Sequence, residues 1–489
     1  MNYKKYYYTI IKNLKSKKVF YKYYKELKTY EQFLDFSEKI LSFLVKNGSK
    51  KRIITYSNKS FEMYSSILPI LISNSTWIPL SVSLPVEKVK FIISAVKPDF
   101  IFYDHMNKEI LRLFKKNKIK TIKFSNFYKI KSVKLDLKKF VEKLDINSEA
   151  FIYFTSGSTG EPKGISVDHK NIIADIYQQQ KHLYNYKHDN LVFGDYYDTA
   201  FSIFFDIYFP AIYFQSSISP GITKSDIYLL ADHFIKNQVN TLVAVPSSFS
   251  RIQDYVKKNK IILKGEYLII TGEPFYLNLL RFIFMNFKFK KIYNCYGGTE
   301  MGNWVFYHRC KLKDLLNFRK YNLVPIGKPF SNTVIKVLAN ELVVSGPTIT
   351  SGYLNKALNK NKFIFGKNNT FYTGDKVIKR KGIYICKGRS DGMVKIHGYR
   401  IEIPEVEANL RKISYVNDVV VFEKKNKNYT NYLKAIVTFF DKKKNINSFK
   451  EDIKKFLPNY MIPKDITLID KMPKNINGKL DRKKIKNNY

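Results

Sequence analysis

Cysteine is scarce in this chain: only Cys295, Cys310 and Cys386 occur in 489 residues, with no CxxC pair and no Cys/His spacing of a metal site. That excludes a disulfide scaffold and a cysteine-based zinc site, and agrees with reduced thiols in a cytoplasmic protein. Long apolar runs are missing as well. The most apolar segment, Phe201 to Phe214, carries Asp206 and ends at Gln215, short of the ~18 apolar residues that a membrane span requires. The N-terminus, MNYKKYYYTIIKNLKSKK, lacks the apolar core and small-residue cleavage site of a signal peptide. A soluble, unprocessed protein is expected. Acidic residues are few, 41 against 85 basic, which leaves a net charge of +44. Such an imbalance ordinarily points to nucleic acid or an anionic membrane. Here the lysines are scattered in ones, twos and threes, and no basic stripe interleaved with aromatics stands out. A nucleic-acid partner is therefore not expected, while an acidic protein partner suits the charge.

What the chain does have is a phosphate loop. Phe151 to Phe154 reads as a buried strand and runs into TSGSTGEPKG. Thr155, Ser156, Ser158 and Thr159 offer hydroxyls, Gly157 and Gly160 let backbone N–H groups approach a ligand, and Lys163 adds a mobile positive charge. A triphosphate is the natural guest. A Walker A loop would end in Gly-Lys-Ser/Thr, but Lys163 stands between Pro162 and Gly164, and the GxGxxG of a dinucleotide site is absent. The string instead resembles the phosphate-binding signature of the adenylate-forming enzymes, the superfamily of amino-acid adenylation domains, acyl-CoA synthetases and luciferases.

Further motifs follow in that family's order and cover nearly the whole chain. Before the loop, TWIPLSVSLP (Thr76 to Pro85) resembles an early family strand, with Ser81 and Val82 where Asp-Pro is usual. Helical spacing over Tyr30 to Lys46, a strand at Arg52 to Tyr56 and the alternation up to about Asp145 suggest an α/β layer fold. Beyond the loop, YLIITGEP (Tyr267 to Pro274) and KIYNCYGGTE (Lys291 to Glu300) each end a short strand at a Gly turn with a glutamate, where open α/β sheets place ligands. The second resembles the family's NxYGPTE. By that resemblance Tyr296 stacks on adenine, Asn294 and Gly297 line the base pocket, Thr299 touches the α-phosphate or substrate carboxylate, and Glu300 holds Mg²⁺. Gly298 replaces the usual proline. ELVVSGPTITSGYLN (Glu341 to Asn355) matches a structural motif of the family. YTGD (Tyr372 to Asp375) assigns Asp375 to the ribose diol, whose two hydroxyl protons one carboxylate can accept, with Arg389 in support.

The resemblance implies a large N-terminal adenylate-forming domain of layered sheets and helices over residues 1–389. A small, mobile α+β domain over 390–489 would follow it, turning about a hinge at Asp391. Amphipathic helices such as Ile403 to Lys412 suit the latter. Lys395, Gly398 and Arg400 match the loop that faces the site in the family's thiol-transfer conformation. Lys479, within NGKLDR, matches the lysine that bridges attacking carboxylate and α-phosphate. ATP and Mg²⁺ are the implied cofactors. With the lysine motif so close to Tyr489, the thiol acceptor is expected to be a separate phosphopantetheinylated carrier protein, or coenzyme A.

The acid is less legible. Amino-acid adenylation domains resemble one another in an FDxS motif whose Asp pairs with the substrate ammonium. Aligning Asp206-Ile207-Tyr208 with the family's DIY puts Phe201 at that Asp, and Asp198 substitutes only with a shift. Thr271 stands where D-alanine-activating ligases carry Cys, which argues against that group. The style of NCYGGTE, GYRIEIPEVE and NGKLDR is nevertheless closer to amino-acid adenylation enzymes than to fatty acyl-CoA synthetases. The leading expectation is a free-standing amino-acid adenylation enzyme; the alternative is an acyl- or aryl-acid ligase forming a CoA or carrier thioester.

Overall fold

A computed structural model describes the chain except residues 1–2, 132–133, 156–161, 185–189, 223–229, 390–392, 427–429, 442 and 474–479, and the side chains of 250, 251, 254 and 483. The described chain forms two compact units. One comprises Met1–Val82, Ala95–Phe154 and Gly164–Ser390; the other comprises Ser83–Ser94, Thr155–Lys163 and Asp391–Tyr489.

The larger unit is layered α/β, as expected. Its six-stranded sheet runs in the order Lys120–Lys123, Phe100–Tyr103, Arg52–Tyr56, Thr76–Leu80, Glu149–Thr155, Lys163–Asp168. The strand Arg52–Tyr56 sits at its centre, parallel to both neighbours, and its near-continuous apolar run RIITY is what a strand covered on both faces requires. The helix Tyr30–Asn47 begins at a Thr29 capping box with Gln32 and buries Phe33, Phe36, Ile40 and Leu44 on one face.

A nine-stranded sheet carries the rest of the motifs. Four of its neighbouring strands, Phe287–Gly298, Leu263–Ile270, Thr241–Ala244 and Val192–Asp195, are parallel. Their C-terminal ends therefore lie on one edge, and the loops leaving Asp195, Ala244, Ile270 and Gly298 gather there. The apolar segment Phe201 to Phe214 becomes the buried helix Phe205–Tyr213, with Pro210 inside it. Among the described residues no helix is long and apolar enough to cross a membrane. A five-stranded antiparallel sheet completes the unit, with Thr370–Arg380 paired to Ile383–Arg389.

The smaller unit contains the hairpin Met393–Ile396/Tyr399–Glu402 and the sheet Val416–Lys425, Asn431–Phe439, Asp465–Leu468, packed on the helices Ile403–Leu410 and Ile446–Ile453. The hairpin turns through His397 (φ 54°) and Gly398 (φ 83°), the paired positive φ values that favour glycine in a tight two-residue loop.

One buried histidine sets an acid limit on the larger unit. His169 Nδ1 lies 2.7 Å from the Tyr7 hydroxyl, and burial lowers the imidazole from 6.5 to about 3. The unfolded chain thus takes up a proton near pH 6.5 that the folded one refuses until about pH 3. Stability from this group is whole above pH 6.5 and falls by about 1.4 kcal/mol for each pH unit below it. Between pH 7 and 5, His169→Gln is expected to lose about 2 kcal/mol less than the wild type in urea unfolding. Parallel losses in the two proteins would refute the assignment.

Candidate active site

The strand Phe287–Gly298 turns through a short 3-10 segment, Thr299–Met301, into the antiparallel strand Asn303–Arg309. A side chain on Gly297 would meet the Asn303 carbonyl oxygen at 1.6 Å, so the close approach of the two strands requires glycine there. Asn294 uses its amide to hold the backbone oxygens of Val324 and Pro325, at 3.3 and 2.9 Å.

Three expected nucleotide-binding residues meet. Asp375 and Arg389 are cross-strand partners, and an Arg389 guanidinium N–H donates to Asp375 Oδ1 at 3.2 Å. The Tyr296 hydroxyl donates to Asp375 Oδ2. Burial and the Asp375 charge hold that phenol well above its usual range, so it stays a donor. Its ring stands edge-on to Phe306, with centroids 5.8 Å apart.

The second cluster surrounds Thr299 and Glu300. Thr299 Oγ1 donates to Ser202 Oγ at 3.0 Å, which brings the loop after Asp195 against the glutamate turn. Glu300 is buried, accepts from the Tyr353 hydroxyl at 2.8 Å, and its backbone oxygen is fixed by Thr350. Among the described residues no three His, Cys, Asp or Glu side chains gather as a metal cage. One carboxylate beside a triphosphate is nonetheless a donor set that suits Mg²⁺, which keeps several waters and takes its other ligands from phosphate.

Asp198, Phe201 and Thr271 lie on the same sheet edge. Asp198 accepts from the Ser81 hydroxyl and from the Ala200 N–H. Phe201 tilts against Tyr197, 6.1 Å between centroids. Thr271 Oγ1 accepts the indole N–H of the buried Trp304 at 3.0 Å. Ser202, Trp304 and Tyr353 escaped the sequence reading. The one available signal was Trp304, one of only two tryptophans, four residues after Glu300.

In the smaller unit, the buried Thr155 hydroxyl has no hydrogen-bond partner among the described residues, and Lys163 Nζ lies 3.9 Å from Glu402. Lys395 and Arg400 face each other across the hairpin, beside Gly398. Ser156, Gly157, Ser158, Thr159, Gly160, Asp391 and Lys479 fall outside the described residues.

The family model described as AMP-binding enzyme matches residues 12–354, and that of the AMP-binding enzyme C-terminal domain matches 405–479. The chain belongs to the AMP-binding enzyme family. Among curated relatives of this AMP-binding enzyme, the D-alanine–D-alanyl carrier protein ligase of Staphylococcus epidermidis is 27% identical over 477 residues, 93% of each chain. That of Staphylococcus aureus is 26% identical over 484 residues, again 93% of each. Two solved structures share the fold. An adenylation domain of Vibrio cholerae in complex with glycyl-adenosine-5′-phosphate has a TM-score of 0.82 at 19% identity, covering 99% of this chain and 98% of that one. An o-succinylbenzoate CoA synthetase of Bacillus subtilis has a TM-score of 0.81 at 17% identity, covering 98% of each.

The relatives are of the group that Thr271 argued against. The structure accounts for that departure locally. A buried indole N–H needs an acceptor, and the Thr271 hydroxyl supplies one that a weakly accepting thiol would not.

Proposed function

We propose that this protein is an AMP-forming ligase that activates an amino acid with ATP and loads it onto the phosphopantetheine thiol of a separate carrier protein in the cytoplasm. Similarity over 93% of the chain to D-alanine–D-alanyl carrier protein ligases carries the reading, and makes D-alanine the first amino acid to test.

The substrate carboxylate attacks the α-phosphorus; an O–P bond forms, the bond to the pyrophosphate oxygen breaks, and acyl-adenylate and pyrophosphate result. Residues 155–160 and Lys163 hold the β- and γ-phosphates. Tyr296, with Asn294 and Gly297, takes the base, and Asp375 the ribose. Arg389 and the Tyr296 hydroxyl already fix both oxygens of that carboxylate. Thr299 orients the reacting oxygens. Glu300 and the triphosphate would hold Mg²⁺, which neutralises phosphate charge when bound. Lys479 spans the reacting atoms. Rotation of the domain beginning near residue 390, about Asp391, then withdraws Lys479 and brings Lys395 and Gly398 to the site. The thiol sulfur attacks the acyl carbon and AMP leaves. Most of the work is positioning and charge stabilisation.

The second reading, an acyl- or aryl-acid ligase forming a CoA or carrier thioester, rests on Phe201 standing where the family resemblance expects the Asp that pairs with the substrate ammonium. The fold does not choose, since an amino-acid adenylation domain and a CoA synthetase superpose equally well. ATP–pyrophosphate exchange against D-alanine, L-alanine, glycine, other amino acids and simple carboxylic acids decides. Exchange with one amino acid, followed by transfer to a carrier protein in preference to coenzyme A, is the expected result. Exchange only with acids lacking an amino group would hand the function to the second reading.

A further inference from the structure

Thr350 to Leu354, inside the motif ELVVSGPTITSGYLN, has two neighbours that matter to the reaction. Along one side it runs antiparallel to the strand Lys163–Asp168, the continuation of the phosphate-loop sequence. The Ser166 N–H donates to the Gly352 oxygen at 3.0 Å, the Ser351 N–H to the Ser166 oxygen at 3.2 Å, and the Leu354 N–H to the Gly164 oxygen at 2.8 Å. Tyr353 stands opposite Ile165 in this pairing.

The same segment also grips the glutamate turn. The Thr350 N–H and hydroxyl both donate to the Glu300 backbone oxygen, at 3.2 and 3.0 Å. The Tyr353 hydroxyl donates to Oε1 of the Glu300 carboxylate at 2.8 Å. The backbones approach so closely that a side chain on Gly302 would meet the Thr348 oxygen at 2.2 Å. Tyr353 has little freedom of its own. Its N–H donates to Asn359 Oδ1 at 2.8 Å, its ring stands edge-on to Phe363, and it is 3% exposed, as is Glu300.

We propose that Tyr353 is a positioning residue for Mg²⁺: its hydroxyl sets the Glu300 carboxylate, and Thr350 to Leu354 keep that carboxylate in register with the strand leaving the phosphate loop. The inference rests on the reading above that Glu300 and the triphosphate hold Mg²⁺, and it deepens that reading by naming the group that orients the ligand. Mg²⁺ demands near-ideal octahedral geometry and takes its ligands here from two sources, a side chain and phosphate oxygens. The chain elements that carry the two must therefore be indexed to each other. A glutamate left to itself loses rotamer freedom when it takes a cation. A hydrogen bond from an already packed phenol removes much of that loss beforehand, as partners of metal-binding carboxylates do. The motif from Glu341 to Asn355 thereby gains a task in the reaction beyond holding the fold. A phenol that only fills the core would give the same packing, and the test separates the two.

ATP binding to the full-length protein is measured by calorimetry, once with Mg²⁺ and once with EDTA, for the wild type, Tyr353→Phe and Glu300→Gln, with no acid present so that nothing turns over. Tyr353→Phe is expected to weaken ATP binding about 10-fold in Mg²⁺ and to leave it unchanged in EDTA. If Tyr353→Phe does not fold, Tyr353→His keeps a ring N–H that ends short of the carboxylate, and the same split is expected. An unchanged affinity in Mg²⁺, or an equal loss with and without Mg²⁺, overturns the proposal and leaves a packing role for the phenol. Glu300→Gln tests the underlying reading. If it shows no loss specific to Mg²⁺, the metal assignment of Glu300 falls and this one with it. A Mg²⁺-specific loss in Glu300→Gln with none in Tyr353→Phe sinks only this one.

Discussion

Replacing Lys479 with alanine is expected to lower ATP–pyrophosphate exchange by about 10²- to 10³-fold, the usual cost of deleting one charge that acts on the transition state. KM for ATP should change little, because the proposed base, ribose and β/γ-phosphate contacts are assigned to other residues. Although Lys479 lies outside the described residues, the chain on either side of its segment is anchored. The Asp481 N–H donates to the Pro473 carbonyl oxygen at 2.9 Å. Three residues past the lysine, the Arg482 guanidinium grips both oxygens of Glu407, at 2.8 and 2.5 Å. Glu407 is itself buried and takes the Val421 N–H at 2.8 Å and Arg411 at 3.2 Å. The chain just beyond the lysine segment is thus tied to the body of the smaller unit by a charge-assisted, two-pronged contact. If that unit swings between the half-reactions, transfer from preformed acyl-adenylate to the carrier thiol should survive Lys479→Ala. Equal loss in both half-reactions, measured separately, would refute the two-conformation mechanism.

The contrast between what was legible in the sequence and what was not follows the range of the interactions. Arg52–Tyr56 was readable residue for residue because an apolar strand between parallel neighbours is a local pattern. The motifs around Tyr296 and Asp375 were readable because each is contiguous and ends a strand, though their joining through one carboxylate spans 79 positions. The buried acid pair was invisible: Asp175 sits in the helix His169–Gln179 among isoleucines and glutamines, where one acid reads as an ordinary polar position, and only the fold brings Asp206 to the same Gln179 amide, 2.8 Å from each carboxylate. Trp304 and Thr271 became a pair only across 33 positions. Thr271 read alone pointed away from the D-alanine-activating group; read with its indole partner it is a local exchange of acceptor. Ser83–Ser94 grouping with Asp391–Tyr489 is likewise a matter of long-range contact that no local pattern announces.

The second large effect expected is on stability, at the strand end from which the loop proposed to recognise the acid departs. Lys59 Nζ donates to the Asp195 backbone oxygen at 2.8 Å and lies 3.2 Å from its Oδ1. The Tyr64 hydroxyl donates to Oδ2 at 2.6 Å, and burial with the Asp195 charge keeps that phenol protonated. The Asp195 side chain is 0% exposed and that of Lys59 9%. Lys59→Met keeps most of the apolar stem and removes only the charge, leaving a carboxylate in the core with two neutral donors, Tyr64 and the Tyr197 N–H. Breaking a buried pair from one side costs about 3–5 kcal/mol, a large share of the ~5–15 kcal/mol that holds a typical domain together. Urea unfolding should therefore show Lys59→Met destabilised by about 3 kcal/mol, and Asp195→Asn added to it should recover much of the loss by removing the stranded charge. A loss below about 1 kcal/mol would mean that the pair is solvated like a surface one. Because Tyr196 to Phe201 leave the sheet directly from Asp195, the single variant should also raise KM for the acid more than KM for ATP. If the proposed pocket is right, stability and acid recognition depend on this one ion pair, and a variant losing the first while keeping the second would separate them.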